Sequence, residues 1–267
     1  MTNSESAHVE FDVTKPSISR VYDAMLGGKD YYPSDERVLD HLRATMPDVY
    51  ELAKLNRAAL NRGVRYLAGT AGMTQYLDLG AGLPTMENTH QVAQELQPDA
   101  SVIYVDNDPI VLAHARALMS LNGRTGVITA DLRDPEGVLA HPDVQRLIDF
   151  SRPVAVMLVG MLHHLHDDEN PEGVVDAYLD AVPVGSHLFI THFLHTGEES
   201  RALEKSFLEF LGTGRFRTYD EIIRLFRGCK LVEPGLVPLS HWRPDSIVRD
   251  KLTLVEEIIV GGIAVKS

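Results

Sequence analysis

The sequence predicts an α/β protein in which buried strands alternate with helices and a helical cap precedes the first strand. Short apolar runs recur along the chain, and segments with the periodicity of amphipathic helices separate them. The first run passes into a Gly-x-Gly turn and a helix, which is how a nucleotide-binding βαβ unit begins. Residues 1–70 lie before this run and are mostly helical in pattern. We therefore predict a cap at residues 1–70 and a single α/β domain at residues 71–267.

Three helices are predicted within the cap. Ser17 is a candidate N-cap residue for the first, which has one apolar face and stops at Gly27-Gly28. The second begins near Ser34, and the third follows Pro47 and ends near Leu67. The cap either only covers the core or acts as a lid over a ligand. If it is a lid, the residues expected near the ligand are Tyr22, Asp23, Gly28 and Lys29.

The α/β domain is predicted from its apolar runs and the helical segments between them. The predicted strands lie at residues 76–79, 101–106, 126–130, 153–159, 186–193, 229–238 and 254–264. The run at 153–159 is the most apolar, as expected at the centre of a sheet that is buried on both faces. The last two strands are predicted to form an antiparallel hairpin. Helices are predicted at residues 86–96, 170–182, 198–211 and 219–226, with another that opens at Asp108-Pro109.

The glycine turn contains a carboxylate that indicates the charge of its ligand. Gly80 and Gly82 lack a Cβ, so the backbone can pass close to a ligand there. A dinucleotide loop receives a pyrophosphate on backbone N–H groups, and Asp78 would repel it. S-adenosylmethionine instead carries a sulfonium and an α-ammonium group. One such charge pair contributes on the order of 4 kcal/mol at about 4 Å before desolvation is subtracted. The sign of the charge therefore favours S-adenosylmethionine as cofactor, with S-adenosylhomocysteine as product.

Acids also end the next two predicted strands. Asp106 stands at a strand tip, at a spacing from the glycine turn that suits an acid binding both ribose hydroxyls, and Asn107 follows it. Asp131 and Leu132 follow the third strand, where Asp131 can accept a hydrogen bond from the exocyclic amine of adenine. The alternative for Asp131 is a turn aspartate. We favour the ligand for both acids and helix capping for Asp108.

The segment after the fourth strand begins at Gly160 and contains two adjacent histidines. His163 and His164 are expected at the sheet edge where open α/β sheets bind ligands, as are His192 and His195. The pair either shapes the turn or supplies a general base for an acceptor that carries a proton. A metal site is a third alternative, although a supporting carboxylate at helical spacing is missing. The base role makes His163 and His164 the candidate catalytic residues, and we predict no metal.

Composition limits the classes of partner. The chain has 25 Lys and Arg against 38 Asp and Glu, so its formal net charge is −13, which disfavours nucleic acid as a partner. The single cysteine, Cys229, rules out a disulfide within one chain and is expected in a late strand rather than a catalytic loop. No apolar segment of membrane-spanning length is present. We therefore expect a cytoplasmic protein without a membrane partner.

The motifs together resemble a known family. Asp78-x-Gly80-x-Gly82, Asp106 and Asp131 are similar to the first three cofactor motifs of class I S-adenosylmethionine-dependent methyltransferases. A narrower likeness, to an actinobacterial family of S-adenosyl methyltransferases with largely unassigned substrates, covers nearly the whole chain. It is carried by residues 19–23, 26–30, 56–57, 77–85 and 104–109. The resemblance implies a seven-stranded, mostly parallel, doubly wound Rossmann-like sheet whose last strand is reversed by a hairpin. It also favours the lid interpretation, although Tyr31 replaces an asparagine usual in that family.

The reaction predicted is methyl transfer to a small molecule, with a secondary metabolite as the acceptor we favour. No Asn/Asp-Pro-Pro-aromatic run follows the fourth strand, which weighs against methylation of nucleobase amines. An alternative is a regulatory module that binds S-adenosylmethionine or S-adenosylhomocysteine without transferring a methyl group. A nicotinamide oxidoreductase is a second alternative. Monomer and homodimer are both left open.

Overall fold

A computed structural model describes residues 12–83, 87–111, 123–246 and 251–267. Its centre is an eight-stranded sheet in the order β3-β2-β1-β4-β5-β8-β6, with β7 also paired to β8. The first five strands are parallel, and β8 runs antiparallel to β5. The strands are β1 (Gln75–Leu79), β2 (Ser101–Asp106), β3 (Thr125–Thr129), β4 (Ala155–Val159), β5 (His187–Phe193), β6 (Lys230–Leu231), β7 (Val237–Pro238) and β8 (Ile259–Val265). The α/β class, the mostly parallel sheet and the N-terminal helices are confirmed.

Helices lie before the sheet and between its strands. Within the described residues they are α1 (Ile18–Met25), α2 (Pro33–Thr45), α3 (Tyr50–Gly69), α4 (Thr89–Leu96), α5 (Pro135–Ala140), α6 (Pro142–Leu147), α7 (Pro171–Asp180), α8 (Glu198–Leu211), α9 (Tyr219–Arg224) and α10 (Leu254–Glu257). None of these helices has the length and apolar composition needed to cross a bilayer. α3 ends close to the predicted domain boundary at residue 70.

The number of strands was predicted wrongly, because the sheet has eight strands rather than seven. The segment 229–238, predicted as one strand, forms two short strands that both pair with β8. Pro234 and Gly235 interrupt it, since proline has no N–H for the ladder and Gly235 has a φ of +92°. The N–H of Gly235 donates to the carbonyl of Val232 at 2.8 Å and closes the turn.

The start of the last strand also differs from the prediction. Residues 254–257 form α10 rather than strand, because Thr253 caps them as a helix. The backbone N–H of Thr253 donates to the Glu256 carboxylate at 2.8 Å. This capping box satisfies backbone groups at the helix start. β8 therefore begins at Ile259, and its pairing with β5 is antiparallel.

Two short helices between β3 and β4 were not predicted. Asp134 caps α5 by accepting from the N–H of Gly137 at 3.1 Å, with Pro135 as the first helical residue. The sequence favoured a turn here, because a capped helix of six residues has too few positions to display a period. The helix predicted at 86–96 begins at Thr89, and residues 84–86 lie outside the described residues. After Pro109, residues 109–111 are helical, and the rest of that predicted helix also lies outside them.

The sheet is buried on both faces, as the apolar strands predicted. Leu77, Ile103 and Val156 belong to one hydrophobic cluster, and Tyr76 and Met157 belong to another. Residues that alternate along a strand point to opposite faces, so each central strand contributes to both clusters. The sheet is thus fixed from both sides, and its carboxyl edge is a rigid platform for side chains.

The cap packs across the β5 and β8 end of this edge. A third cluster joins apolar residues of α1, α2 and α3 to Phe193, Phe207 and Ile259. A buried ion pair joins α1 to α2, with Nε of Arg20 2.7 Å from Oδ2 of Asp35. The Asp35 carboxylate also accepts from the backbone N–H of Ser17 at 2.9 Å. The N-terminal helices therefore pack firmly over the carboxyl ends of these strands.

Candidate functional site

A deep cleft lies between the carboxyl edge of the sheet and the cap. Its volume is about 1180 Å³, open solvent at its mouth included. Nine predicted site residues line it: Tyr22, Asp78, Gly80, Gly82, Asp106, Asn107, Gly160, His163 and His164. A smaller recess shares Gly80, Asp106 and Asn107 with the cleft and adds Asp131 and Leu132. The structure therefore brings together the residues predicted at four successive strand ends.

The glycine turn requires glycine for two reasons. Gly80 and Gly82 have φ values of +81° and +64°, in the left-handed region that favours glycine. A Cβ on Gly80 would lie 2.1 Å from Sδ of Met161. The N–H of Gly80 donates to the carbonyl of Val105 at 2.7 Å, which ties the turn to β2. The turn is thus held where its backbone faces the cleft.

Asp78 is a buried carboxylate on β1, and it is 6% exposed. Its Oδ2 accepts from the hydroxyl of Thr89, at the start of α4, at 2.7 Å. Burial raises the pKa of Asp78 to about 6, while the Thr89 hydrogen bond and the charge of Arg57 oppose that rise. A buried carboxylate of this kind is stabilised in its charged form by a cation.

Asp106 ends β2 and organises both neighbouring turns. Its Oδ2 accepts from the N–H of Gly82 at 2.8 Å, and its Oδ1 accepts from the N–H of Asp108 at 2.9 Å. Each oxygen keeps a second lone pair for another donor. Burial raises the pKa of Asp106 to about 6 despite these hydrogen bonds. Its position beside the glycine turn suits the two vicinal hydroxyls of a ribose.

Asp131 is half-buried in the smaller recess, and its charge is already balanced. Nη2 of Arg133 lies 2.5 Å from Oδ2 of Asp131. Arg133 also pairs with Glu169. The hydrogen bond from Arg133 is the main cause that lowers the pKa of Asp131. Asp131 therefore stays ionised, and an uncharged adenine edge suits this recess better than a cation.

The two adjacent histidines lie in a short 3-10 turn after β4. His163 is 3% exposed and stacks on Phe193 with ring centroids 4.0 Å apart. Burial lowers the pKa of His163 well below its ordinary value and that of His164 to about 4, so both rings are neutral near pH 7. The Nδ1 atoms of both rings are buried without a hydrogen-bond partner in the described part of the chain. Two neutral imidazoles therefore face the cleft side of this turn.

Arg217 holds the histidine turn against β5. Its guanidinium donates to the carbonyls of Leu162 at 2.9 Å and Leu165 at 3.0 Å, and to Oδ1 of Asp167 at 3.0 Å. Nε2 of His192 lies 2.9 Å from Nη1 of Arg217, and burial lowers the pKa of His192 to about 3. His192 is therefore a structural residue of this turn.

Three further residues of the site were missed from the sequence. Asn56 and Arg57 of α3 line the cleft, and Thr191 of β5 lies behind Asn56. Asn56 donates to the Tyr22 hydroxyl at 3.1 Å and accepts from the Thr191 hydroxyl at 2.6 Å. The Thr191 hydroxyl in turn accepts from the N–H of Gly160 at 2.8 Å. The only sequence signal was the family likeness at residues 56–57, because no local pattern links α3 to a loop 100 residues later.

The predicted lid residues divide between the cleft and the body of the cap. Tyr22 lines the cleft, whereas Asp23, Gly28 and Lys29 do not. Gly28 packs closely on Asp23 instead. A Cβ on Gly28 would lie only 1.9 Å from the Asp23 carboxylate. Ser17, which precedes α1, contacts the turn after β2, where its hydroxyl donates to Oδ2 of Asp108 at 2.6 Å. Cys229 is half-buried outside the cleft.

The side chains of the site include carboxylates, amides and neutral imidazoles. In the described ranges, no three His, Cys, Asp or Glu side chains are arranged to hold a metal ion. Two buried carboxylates at neighbouring strand tips of a doubly wound sheet, next to a glycine turn, have the charge that suits a cationic nucleoside without phosphates. This fold and site define the class as S-adenosylmethionine-dependent methyltransferases.

Comparison with known proteins identifies the family. Residues 4–267 match the family described as S-adenosyl methyltransferase. The chain belongs to this family, and it is an S-adenosylmethionine-dependent methyltransferase. The resemblance seen in the sequence is confirmed over nearly its full length. No protein of curated function matches the sequence.

Two solved structures share the whole fold. A protein from Thermobifida fusca YX, provisionally assigned as a methyltransferase, is 52% identical, with a TM-score of 0.93 over 96% of each chain. A DUF574 family protein from Streptomyces avermitilis MA-4680 is 34% identical, with a TM-score of 0.91 over 96% of this chain and 99% of that one. A 1,6-didemethyltoxoflavin-N1-methyltransferase from Burkholderia thailandensis shares the fold at 17% identity, with a TM-score of 0.50 over 79% of each chain.

Proposed function

We propose that this protein transfers a methyl group from S-adenosylmethionine to a small-molecule acceptor of secondary metabolism. The observation that carries the proposal is the pair of buried carboxylates on β1 and β2. Burial raises the pKa of both Asp78 and Asp106 to about 6. Such acids are stabilised in the ionised form by hydroxyl donors or a cation, and the cofactor has both. The cleft also extends past these acids to Phe193 on β5 and Ile259 on β8, which leaves room for an acceptor beside the cofactor.

The residues at the sheet edge fit the cofactor group by group. Asp106 would accept from the ribose hydroxyls and Asp78 from the α-ammonium group. Asn107, Asp131 and Leu132 would surround adenine in the smaller recess. Arg57, which reaches the start of α4 through a 3.0 Å hydrogen bond to the carbonyl of Glu87, would pair with the α-carboxylate. The ammonium and carboxylate groups of the cofactor's amino acid would thus each meet a group of opposite charge.

When bound, S-adenosylmethionine supplies a methyl group on a sulfonium, and transfer leaves the electron pair of the C–S bond on sulfur. The protein's task is to orient the acceptor and exclude water. Gly160 is fixed beside the cleft by Thr191 and Asn56. His163 and His164 would accept a hydrogen bond from the acceptor's proton-bearing group. As the acceptor atom bonds to the methyl carbon, its proton would pass to the imidazole that accepts this hydrogen bond. Their low pKa values keep the rings neutral, so they can accept that hydrogen bond at neutral pH.

The net charge of the protein and the shape of the cleft support a proposal about its partners. The formal net charge of −13 repels nucleic acid, and the cleft is roofed by the cap. We therefore propose that the protein acts on free small molecules in the cytoplasm, without nucleic acid or membrane partners, as a monomer or homodimer.

The experiment that tests transfer uses S-adenosylmethionine with a labelled methyl group and a metabolite extract. Label in a small molecule supports the proposal. Tight binding with no label transferred supports the alternative of a binding module. As the matched binding test, Asp106→Ala should weaken S-adenosylhomocysteine binding by about 1 kcal/mol or more through lost charged hydrogen bonds. The control is Asp143→Ala, which removes an exposed carboxylate on α6.

Calorimetry separates the cofactor classes. We expect heat of binding with S-adenosylhomocysteine and none with NAD, because the carboxylate of Asp78 repels a pyrophosphate. The reverse result would overturn the cofactor proposal.

A further inference from the structure

The end of the cleft beyond β4 differs in chemistry from the cofactor end. The cofactor acids lie on β1 and β2, on one side of β4 in the sheet, while β5 and β8 lie on its other side. On that second side, apolar side chains of the cap, of α8 and of the strand ends line the cleft: Val21, Met25, Leu52, Phe193, Phe207 and Ile259. These residues also belong to the hydrophobic cluster that fixes the cap to the sheet. We call this region the apolar chamber.

Charged groups are confined to the cofactor end. Among the described residues that line the cleft, the charged side chains are Arg57, Asp78 and Asp106. Arg57 is anchored toward α4, with its Nη2 3.4 Å from Oδ1 of Asn88. An ionised acceptor would therefore enter the apolar chamber without a partner for its charge. Burying an unpaired charge is strongly unfavourable, so the chamber selects an uncharged molecule.

Two pairs of polar side chains are important in the chamber. The first pair is joined by a hydrogen bond, and the second pair has ring nitrogens without a partner among the described residues. The Tyr22 hydroxyl and the Asn56 amide are joined to each other at 3.1 Å. His163 and His164 line the same cleft, and their buried Nδ1 atoms have no hydrogen-bond partner among the described residues. Stacking of His163 on Phe193 holds its ring in place. The Nδ1 atoms are closed to solvent, so a ligand in the cleft would reach these imidazoles through their Nε2 atoms, which can accept a hydrogen bond.

These observations point to one class of acceptor. We propose that the acceptor is an uncharged, largely apolar ring compound whose reacting group is a hydroxyl that donates a hydrogen bond to the His163–His164 pair. A hydroxyl suits the pair better than an aliphatic amine, because the amine is a cation near neutral pH. Rings suit Phe193 and Phe207, since aromatic groups pack well against one another. This proposal rests on the proposed methyl transfer and narrows its acceptor.

The test compares three naphthalene probes, substituted at the same ring position, on the full-length protein saturated with S-adenosylhomocysteine. The probes are 2-naphthol, which is neutral with an O–H donor; 2-methoxynaphthalene, which has no donor; and 2-naphthoate, which is anionic. Binding is followed by probe fluorescence at pH 7.5. We expect 2-naphthol to bind at least tenfold more tightly than 2-naphthoate and severalfold more tightly than 2-methoxynaphthalene.

Histidine variants localise the preference. His163→Leu or His164→Leu should reduce the affinity for 2-naphthol to that for 2-methoxynaphthalene, with S-adenosylhomocysteine binding within twofold of wild type. His41→Leu, on the exposed side of α2, should change neither. Tighter binding of 2-naphthoate, or equal binding of the naphthol and its methyl ether by the wild type, would overturn the acceptor class and leave the proposed function intact. Failure of S-adenosylhomocysteine to bind would overturn both.

Discussion

The hydroxyl of Thr191 donates to Oδ1 of Asn56 at 2.6 Å, and this contact joins β5 to the cap helix α3 behind the cleft. Thr191 is fully buried, and Asn56 is 5% exposed. The same hydroxyl accepts from the N–H of Gly160, so one threonine fixes both the cap and the loop after β4. Removing either side chain leaves buried polar atoms without partners.

We predict that Thr191→Val and Asn56→Leu each lower the free energy of unfolding by about 1–3 kcal/mol, because each leaves buried hydrogen-bonding groups without a partner. The double variant should lose less than the sum, with a coupling energy of about 0.5–3 kcal/mol. Urea unfolding without ligand measures all three. Thr129→Val, at an exposed position of β3, is the control. Simple additivity would show that the contact is not energetically significant.

Asp78 should reduce the stability of the ligand-free protein at neutral pH. Its pKa in the fold is raised to about 6 from 3.8, so its contribution to stability is lost as the pH rises from about 4 through 6. We predict that Asp78→Asn raises the free energy of unfolding by about 1–3 kcal/mol at pH 7.5 and abolishes the binding of S-adenosylhomocysteine. The gain should vanish at pH 4, where the wild-type carboxyl is protonated.

Denaturant unfolding of Asp78→Asn at the two pH values checks this, with Asp143→Asn as an exposed control that should stay within about 0.5 kcal/mol. A variant less stable than wild type at pH 7.5 would mean that the Thr89 hydrogen bond outweighs the burial of the charge.

Cofactor affinity should depend on pH through the same acids. Burial raises the pKa of Asp78 and Asp106 to about 6 in the free protein, and the ligand's ammonium and hydroxyl groups favour the ionised forms. Affinity should therefore be highest above pH 6 and fall at least tenfold between pH 7 and pH 5. His164, whose pKa is about 4, stays neutral over this range. Calorimetry with S-adenosylhomocysteine measures the profile, and a flat profile would contradict the assignment of these acids.

The local part of the site could be predicted from the sequence, whereas the long-range part could not. Asp78, Gly80, Gly82 and Asp106 stand next to apolar strands, and parallel strands place their carboxyl ends at one edge. The contact of Asn56 with Thr191 joins residues 135 positions apart, so no periodicity signals it. The packing of Gly28 against Asp23 could not be predicted from the sequence either, because a Gly-Gly pair that ends a helix resembles a ligand-binding loop.

The strands were predicted best at the centre of the sheet, where the side chains of a strand are buried. β1, β4 and β5 are buried along nearly their whole length, and each lies within two residues of where the sequence placed it. At the other edge, the split of 229–238 depends on Pro234 and Gly235 interrupting a run whose apolar content continues on both sides. Local turn chemistry there outweighs hydrophobicity, and the strand count changes from seven to eight.

Arg57 should recognise the amino-acid part of the cofactor. We predict that Arg57→Leu weakens S-adenosylhomocysteine binding about tenfold or more, because a charged hydrogen bond contributes about 1.5–3 kcal/mol. Binding of 5′-methylthioadenosine, which lacks the amino acid, should stay within twofold. Arg65→Leu, on an exposed position of the same helix, is the matched control. Equal loss of both ligands would instead assign Arg57 to the shape of the site.

The crystal structure of the complex with S-adenosylhomocysteine tests the central claim most directly. We predict the ribose hydroxyls on the Asp106 carboxylate, the α-ammonium group at Asp78, and adenine in the recess of Asp131 and Leu132. Adenosine bound away from the tips of β1 and β2, or a cleft closed by protein side chains in the crystal, would contradict the account.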